Sequence, residues 1–227
     1  MNGLSGDGGT AHMRMRRKKH GAERLAACGE LILPDGFVIP ADVFGSDAPV
    51  MLEIGCGKGD FICGTAEKAP DVNFIAIERI SDILMLAAEK VAAKGLENVR
   101  LAVMNAALLD ERFPPHCVDR IYLNFSDPWP KKGYAKRRLT HRGFLEKYRK
   151  ILKENGSLFL KTDDLPLFEF SAEELTEFGF VITDMTNDLH GSVYAEDNVM
   201  TEYERNFSSA GKKINMLRAY LKGENNE

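Results

Sequence analysis

The chain has 227 residues, a hydrophobic share of 44% and a formal net charge of −4. These values are typical of one globular domain with a sizeable core, and no apolar run approaches the roughly 20 residues that cross a bilayer. The four cysteines form no CxxC pair and no zinc spacing, which predicts reduced thiols, no metal site and a cytoplasmic location. An acidic total argues against nonspecific binding of nucleic acid over the whole surface.

The charges are unevenly distributed along the chain. We interpret residues 1–12, which are polar and glycine-rich, as an expression remnant or disordered tail. Residues 13–48 are a basic N-terminal extension that includes Arg14–Lys19, and residues 49–223 form a single domain. A second basic stretch, Lys131–Arg142, contains six Lys or Arg and no acid. Such runs are often solvated surface, but two on an acidic chain also predict contact with a phosphate backbone.

Strand-like and helix-like segments alternate along the chain from residue 50 onwards. The predicted strands are Val50–Ile54, Asn73–Ile77, Val99–Met104, Arg120–Phe125, Ser157–Lys161, Phe180–Asp184 and Glu202–Asn206. The predicted helices are Phe61–Ala69, Ser81–Lys94, Leu108–Glu111, Thr140–Leu152, Leu167–Glu177 and Ala210–Lys222. Ser81-Asp82 should cap one helix, Gly95 should end it, and Asn155-Gly156 should end another. This α/β alternation predicts a mostly parallel seven-stranded sheet with helices on both faces, which binds its ligand beyond the carboxyl ends of the strands.

A glycine-rich turn follows the first predicted strand. In the run Glu53-Ile54-Gly55-Cys56-Gly57-Lys58-Gly59, three alternate glycines let a strand turn into a helix and expose backbone amides to a ligand. The acid before the first glycine suits a cationic or hydroxyl-bearing ligand rather than a pyrophosphate. The spacing is neither the dinucleotide fingerprint nor a Walker loop.

Polar residues end the next two predicted strands. Glu78 lies close to the roughly 20-residue offset at which an acid binds ribose hydroxyls, although an acid at a helix N-terminus is also ordinary structure. Asn105 follows the third strand, where an amide can bond an adenine amino group. By itself Asn105 would be an ordinary residue at a strand end.

The most distinctive segment follows the fourth predicted strand. Ser126-Asp127-Pro128-Trp129-Pro130-Lys131-Lys132 combines a carboxylate, the only tryptophan of the chain and a lysine pair. Each proline should hold the residue before it in an extended conformation, which predicts a stiff loop. Aromatic rings stack on unpaired bases, carboxylates accept hydrogen bonds from base donors, and lysines pair with phosphates. A turn whose tryptophan fills the core would not explain the basic run that follows.

These motifs, in this order, resemble those of the tRNA (guanine-N7-)-methyltransferase family. The resemblance extends from Met13 to Lys222 and includes EIGCGKG, IER, SDPWPKK followed by KRRLT, LKTD and TEYE. It implies a Rossmann-like class I methyltransferase that binds S-adenosyl-L-methionine, releases S-adenosyl-L-homocysteine and methylates N7 of a guanine in the tRNA variable loop (position forty-six in tRNA numbering). The implied partner is tRNA, without a membrane or an obligatory protein partner, and the protein would be a monomer or homodimer.

The resemblance also assigns roles to individual residues. The methyl donor would contact Glu53, Gly55, Gly57, Gly59, Glu78, Asn105 and Asp127, and Asp127 would also be catalytic. Substrate would contact Lys131, Asp163, Thr201, Glu202, Tyr203 and Glu204. RNA would contact Lys132, Gly133, Tyr134, Ala135, Lys136, Arg137 and Arg138. The family commonly has Asp where this chain has Asn105, and here Asn-Phe-Ser precedes Asp127 without a proline.

Three alternative functions each fit part of the sequence, and each is disfavoured by a specific feature. A class I methyltransferase acting on an exocyclic amino group would carry an Asn/Asp-Pro-Pro-aromatic loop, whereas Asp127-Pro128-Trp129 lacks the second proline. The glycine spacing and the preceding acid disfavour a nicotinamide-dependent oxidoreductase. An RNA-binding module without catalysis would not require Asp127 together with the full set of donor-binding residues.

Overall fold

The computed structural model describes residues 20–36 and 38–223. The predicted tail at residues 1–12 and the basic segment Arg14–Lys19 lie outside the described residues. The strands are β1 Val50–Ile54, β2 Asn73–Glu78, β3 Val99–Val103, β4 Val118–Asn124, β5 Leu152–Thr162, β6 Phe180–Thr186 and β7 Asn215–Leu221. The helices are α1 Gly21–Ala27, α2 Pro40–Phe44, α3 Asp60–Lys68, α4 Ser81–Lys94, α5 Leu109–Arg112, α6 Arg142–Ile151, α7 Leu165–Phe178 and α8 Glu202–Ser209. None of the helices described is long and apolar enough to cross a membrane.

The strands form one sheet in the order β3-β2-β1-β4-β5-β7-β6. Strands β3, β2, β1, β4 and β5 are parallel, and β7 runs antiparallel to both β5 and β6. The chain order reverses between β1 and β4, so the loops that follow these two strands lie side by side at the carboxyl edge.

Both faces of the sheet are covered by helices, each with its own apolar core. Leu145, Tyr148 and Ile151 of α6 recur at helical spacing and are buried against one face with Phe168 of α7. On the other face, Ile62 and Cys63 of α3 pack with Leu84 and Val91 of α4. Burying each of the Leu, Ile, Val and Phe side chains among these residues contributes about 1.5–3 kcal/mol. The predicted fold, a mostly parallel seven-stranded α/β sheet between helices, is confirmed.

In the C-terminal part, the predicted strand is a helix and the predicted helix contains a strand. The segment predicted as a strand, Glu202–Asn206, belongs to α8, because Thr201 and Glu204 form a capping box: the Thr201 hydroxyl accepts the Glu204 N–H at 2.9 Å. The segment predicted as a helix, Ala210–Lys222, contains β7. Ile214, Leu217 and Leu221 fit helical spacing, but the pairing of β7 with both β5 and β6 outweighs that local pattern.

Two predicted helix ends also differ. Asn155-Gly156 does not end a helix; it lies inside β5, where Asn155 has a φ of 58° and the β4–β5 pairing shifts register. The N-cap of α4 is Ile80, whose side chain makes no capping hydrogen bond, and Ser81 and Asp82 are the first residues of the helix itself, so the predicted Ser81-Asp82 cap is wrong. The predicted glycine end of α4 is confirmed, because Gly95 has a left-handed φ of 64°.

Candidate active site

The glycine-rich turn connects β1 to α3 at the reversal point of the sheet. Gly55, Gly57 and Gly59 have φ values of 81°, 55° and 81°, which side chains rarely adopt. A Cβ added to Gly55 or Gly57 would meet no atom within 4 Å, whereas one on Gly59 would lie 2.8 Å from Ala87 Cβ in α4. The first two glycines therefore leave open surface for a ligand, and the third permits α3 and α4 to pack closely.

Glu53 is buried directly beneath this turn. One of its oxygens, Oε1, accepts a hydrogen bond from Asn124 Nδ2 at 2.9 Å, and the other, Oε2, is buried without a hydrogen-bond partner among the described residues. Burial raises the pKa of Glu53 to about 7, against the opposing effects of the Asn124 hydrogen bond and the charge of Lys161. Because an unpartnered carboxylate oxygen is costly to bury, this position is suited to a bound cation or hydrogen-bond donor.

A cavity of about 190 Å³ lies above Glu53, and we call it the donor cavity. Its walls come from the glycine-rich turn, from α3, from the end of β4 and from the start of α8. The lining residues are Glu53, Gly55, Cys56, Lys58, Asp60, Phe61, Asn124, Phe125, Thr201, Glu202 and Tyr203. Residues predicted to bind the methyl donor and residues predicted to bind the substrate therefore line the same cavity.

Glu78 and Asn105 lie at the carboxyl ends of β2 and β3, outside the donor cavity. Glu78 Oε1 accepts a hydrogen bond from the Ile80 N–H at 3.0 Å, and Asn105 Oδ1 accepts one from the Ala107 N–H at 3.0 Å. Exposed apolar side chains accompany them: Ile80 is 41% exposed and Leu108 is 39% exposed. Neither apolar residue was predicted from the sequence as part of a site, although their positions just after two strand ends were a usable signal for a flat aromatic ligand.

The loop after β4 carries Asp127 at the same edge of the sheet, with its side chain exposed. Trp129 has a φ of 43°, so the predicted extended conformation before Pro130 is wrong. Arg138 holds the loop: its Nε donates to the Pro128 carbonyl at 3.0 Å and its Nη2 to the Trp129 carbonyl at 3.2 Å. A positive φ is unfavourable for residues other than glycine, and these hydrogen bonds stabilise Trp129 in that conformation.

The basic stretch after this loop is largely exposed. Lys131, Lys132, Gly133, Tyr134, Lys136 and Arg137 are exposed, whereas Ala135 and Arg138 are half-buried. The Arg137 guanidinium lies 4.8 Å from the ring centroids of both Trp129 and Tyr134. The stretch therefore presents cations and aromatic rings to solvent together, as expected for a surface that contacts RNA.

The two acids after β5 have different roles. Asp164 caps α7, because its Oδ1 accepts the Leu167 N–H at 2.7 Å. Asp163 forms an ion pair of 2.9 Å with Lys212 and does not line the donor cavity. Its predicted contact with substrate stays a prediction.

Glu204 differs from its neighbours at the start of α8, because it is buried and its carboxylate accepts hydrogen bonds from other side chains of the protein. Lys161 Nζ donates to Glu204 Oε2 at 2.6 Å and to the Val199 carbonyl at 2.8 Å. Asn198 Nδ2 donates to Glu204 Oε1 at 2.6 Å. Burial lowers the pKa of Lys161, and the adjacent Glu204 opposes that shift. Sequence analysis missed Lys161, which lies 43 residues before its partner.

The Glu204–Lys161 pair holds the segment that forms one wall of the donor cavity. Thr201, Glu202 and Tyr203 line that wall, and Glu202 forms a 2.9 Å ion pair with Lys58 of the glycine-rich turn. Tyr203 stacks on Phe207 at 4.1 Å and contacts Phe125 at 5.0 Å, measured between ring centroids. The segment predicted to bind substrate therefore contacts the glycine-rich turn directly, through the ion pair of Glu202 with Lys58.

Comparison with known proteins identifies the family. A model of the family described as "Putative methyltransferase" matches residues 47–217. A tRNA (guanine-N(7)-)-methyltransferase of Streptococcus thermophilus (strain CNRZ 1066) is 42% identical over 92% of this chain and 100% of its own length. The enzyme of the same name from Geobacillus kaustophilus (strain HTA426) is 46% identical over 89% of this chain and 94% of its own.

The chain belongs to the tRNA (guanine-N(7)-)-methyltransferase family. The family predicted from the sequence motifs is therefore confirmed.

Solved structures agree with the fold. A 16S rRNA methyltransferase, KamB, superimposes with a TM-score of 0.61 at 17% identity and covers 80% of this chain and 92% of its own. A 16S rRNA (adenine(1408)-N(1))-methyltransferase mutant determined with its cosubstrate SAM gives a TM-score of 0.61 at 15% identity, over 84% of this chain and 95% of its own. At such identities the likeness establishes the shared class I methyltransferase fold.

Proposed function

We propose that this protein transfers a methyl group from S-adenosyl-L-methionine to N7 of a guanine in the variable loop of tRNA, forming 7-methylguanosine. The observation that carries this function is the donor cavity. It is bounded by a buried carboxylate oxygen of Glu53 that has no hydrogen-bond partner in the part of the chain that the structure describes, and by the wall formed by Thr201, Glu202 and Tyr203. The names of the family relatives supply the guanine N7 specificity.

The residues present fit the methyl donor chemically. Glu53 Oε2 accepts a hydrogen bond from an ammonium group, and the open surface at Gly55 and Gly57 permits close approach to the backbone. Glu78 binds the ribose hydroxyls, and Asn105 together with Ile80 and Leu108 holds the adenine ring. When bound, the donor supplies an electrophilic methyl group on a positively charged sulfur.

Guanine N7 has a lone pair and no hydrogen, so the reaction leaves no proton to remove from that atom. The protein therefore needs alignment rather than a strong general base. Asp127, exposed at the same strand edge, stabilises the positive charge that develops on the purine and is the proposed catalytic residue. The base and its nucleotide are positioned by Asp163, Lys131 and the segment Thr201–Glu204. Within that segment the Glu204 carboxylate is buried, so Glu204 acts indirectly, by holding the segment in place through its ion pair with Lys161.

The basic stretch Lys132–Arg138 is the proposed RNA surface. Lys136 and Arg137 contact phosphates or bases directly, whereas Arg138 holds the Asp127 loop through its bonds to Pro128 and Trp129. We propose a cytoplasmic protein that acts on tRNA as a monomer or homodimer without an obligatory protein partner. Residues 49–223 form its methyltransferase domain, and the basic extension at residues 13–48 adds to RNA binding.

The function is tested by incubating the protein with unmodified tRNA and S-adenosyl-L-methionine, then mapping the methylated nucleotide. We expect 7-methylguanosine at a single position in the variable loop, and no product with tRNA that lacks that guanine. Methylation of an exocyclic amino group would support the alternative methyltransferase and contradict the proposal. Binding of tRNA without any methyl transfer would leave only the RNA-binding alternative.

A further inference from the structure

A second cavity, of about 330 Å³, adjoins the donor cavity and shares Phe61 and Asn124 with it. Its floor is the sheet, where Arg120 of β4, Phe159 of β5 and Arg218 of β7 lie on adjacent strands. Segment 194–199 and α3 complete its walls. We call it the arginine cavity; its lining residues are Phe61, Thr65, Arg120, Tyr122, Asn124, Phe159, Lys161, Leu189, Tyr194, Asp197, Asn198, Val199, Met216 and Arg218.

Two guanidinium groups converge on this cavity. The guanidinium carbons of Arg120 and Arg218 lie 4.3 Å and 4.9 Å from the centroid of the Phe159 ring, so they are no more than about 9 Å apart. Arg120 Nε donates to the Ser157 hydroxyl at 2.9 Å. Neither guanidinium forms an ion pair with any carboxylate in the part of the chain that the structure describes.

The other charged groups around the cavity form no ion pair with the two arginines among the described residues. Lys161 is already paired with Glu204 at 2.6 Å, and Asp197 is a single carboxylate at the exposed rim. Asp184, the cross-strand neighbour of Arg218, accepts a hydrogen bond from the Tyr194 hydroxyl at 2.8 Å. Two buried polar atoms that belong to lining residues, Arg218 Nε and Thr65 Oγ1, have no hydrogen-bond partner in residues 20–36 and 38–223. The cavity therefore combines excess positive charge with free hydrogen-bond donors.

We propose that the arginine cavity binds a tetrahedral oxyanion of the phosphate class. Two neighbouring guanidinium groups repel each other and are costly to withdraw from water unless an anion compensates them. The planar arginine fork donates paired hydrogen bonds to phosphate oxygens, and the Thr65 hydroxyl supplies a further donor. This site uses neither Glu53 nor Asp127, so it is distinct from the donor and catalytic groups.

The direct test is isothermal titration calorimetry of inorganic phosphate into the full-length protein in a chloride buffer, with thermal unfolding as a second readout. We expect saturable binding to one site and a phosphate-dependent rise in Tm. Arg120→Met and Arg218→Met should each weaken phosphate binding by roughly tenfold or more, and Arg218→Lys by less, because the charge remains while the fork is lost.

Arg149→Met is the matched control, because Arg149 also stacks on an aromatic ring, Phe178, at 4.7 Å but lies outside the cavity. Phosphate affinity should not change in this variant. Calorimetric titration of S-adenosyl-L-methionine into every variant, together with its circular dichroism spectrum, shows that the fold and donor cavity are intact. That measurement separates failure of the oxyanion site from failure of the proposed methyltransferase function.

A parallel titration with tRNA distinguishes the two sources of phosphate. If the cavity takes a phosphodiester of bound RNA, tRNA should displace phosphate and Arg218→Met should weaken tRNA binding. If the cavity takes a free anion, phosphate should bind to the complex with tRNA as tightly as it binds to the free protein. Either result supports the site. Absence of saturable phosphate binding to the wild-type protein, or equal affinity in wild type and both methionine variants, would overturn the proposal.

Discussion

Replacing Glu53 with Gln should change how the stability of the protein depends on pH. Burial raises the pKa of Glu53 to about 7, from an ordinary value of 4.5. In the folded chain the carboxyl group therefore keeps its proton at pH values where it is ionised in the unfolded chain. Because the folded state then holds more protons, the free energy of unfolding falls as pH rises between these two values and levels off above the folded-state pKa.

The size of this effect follows from the two pKa values. A shift of one pKa unit corresponds to about 1.4 kcal/mol, so the wild-type protein should lose roughly 2–3 kcal/mol of this contribution between pH 5 and pH 8. Glu53→Gln removes the ionisation while keeping an oxygen that accepts the Asn124 hydrogen bond. Its new buried amide N–H group costs about 1–3 kcal/mol, but that cost does not depend on pH.

The assay is urea unfolding of both proteins at pH 5, 6, 7 and 8 without methyl donor. The stability of Glu53→Gln relative to wild type should increase by roughly 2–3 kcal/mol from pH 5 to pH 8. Glu78→Gln is the matched control, because Glu78 is only half-buried at the next strand end. A difference between Glu53→Gln and wild type that stays constant over this pH range would refute the raised pKa.

The same substitution tests the role of Glu53 in donor binding. Loss of a charge-assisted hydrogen bond should weaken binding of S-adenosyl-L-methionine by roughly ten- to a hundredfold, measured by calorimetry. Wild-type affinity should rise with pH through about 7, as Glu53 becomes ionised and able to pair with a cation. Glu53→Gln should lose that rise; retention of it would assign the titration to another group.

Three further variants give separable results. Asp127→Ala should lower turnover by roughly a hundredfold or more and weaken binding of the methyl donor only modestly; near-normal turnover would exclude a catalytic role. Lys136→Glu with Arg137→Glu should raise the KM for tRNA and reduce the salt dependence of tRNA binding, whereas Arg149→Glu on another surface should not; equal effects would place the RNA surface elsewhere. Lys161→Met should lower the free energy of unfolding by about 3–5 kcal/mol in urea, because the buried Glu204 carboxylate loses its lysine partner and keeps Asn198 and His190 beside Oε1; a loss below about 1 kcal/mol would contradict that role of Lys161.

Local patterns in the sequence were sufficient for most of the fold. Strands β1 to β4 were predicted close to their observed bounds, because each is a short apolar run followed by a turn or helix signal, whereas β5 begins at Leu152, five residues before the predicted Ser157. The positions of Glu53, Glu78 and Asp127 at one edge of the sheet follow from the same rule, since parallel strands end on one side. The resemblance to the family rests on these strand ends and the loop after β4.

The C-terminal part shows where local patterns fail. The capping box of Thr201 and Glu204 was present in the sequence and should have indicated a helix. By contrast, β7 has apolar residues at helical spacing, and only its hydrogen bonds to β5 and β6 make it a strand. The strand is stabilised by partners that lie far away in the sequence, and no local propensity reports them.

The sequence by itself determined the order of the first six strands along the chain, the glycine-rich turn and the acidic, aromatic and basic residues of the loop after β4. Only the tertiary structure decided which side chains share a cavity. Lys161 and Glu204 form a buried pair, and Arg120 and Arg218 meet across Phe159, because non-consecutive strands and the start of α8 are brought together in the folded protein. The physical reason is that burial and charge pairing depend on distance in space, whereas sequence patterns report only the neighbours along the chain.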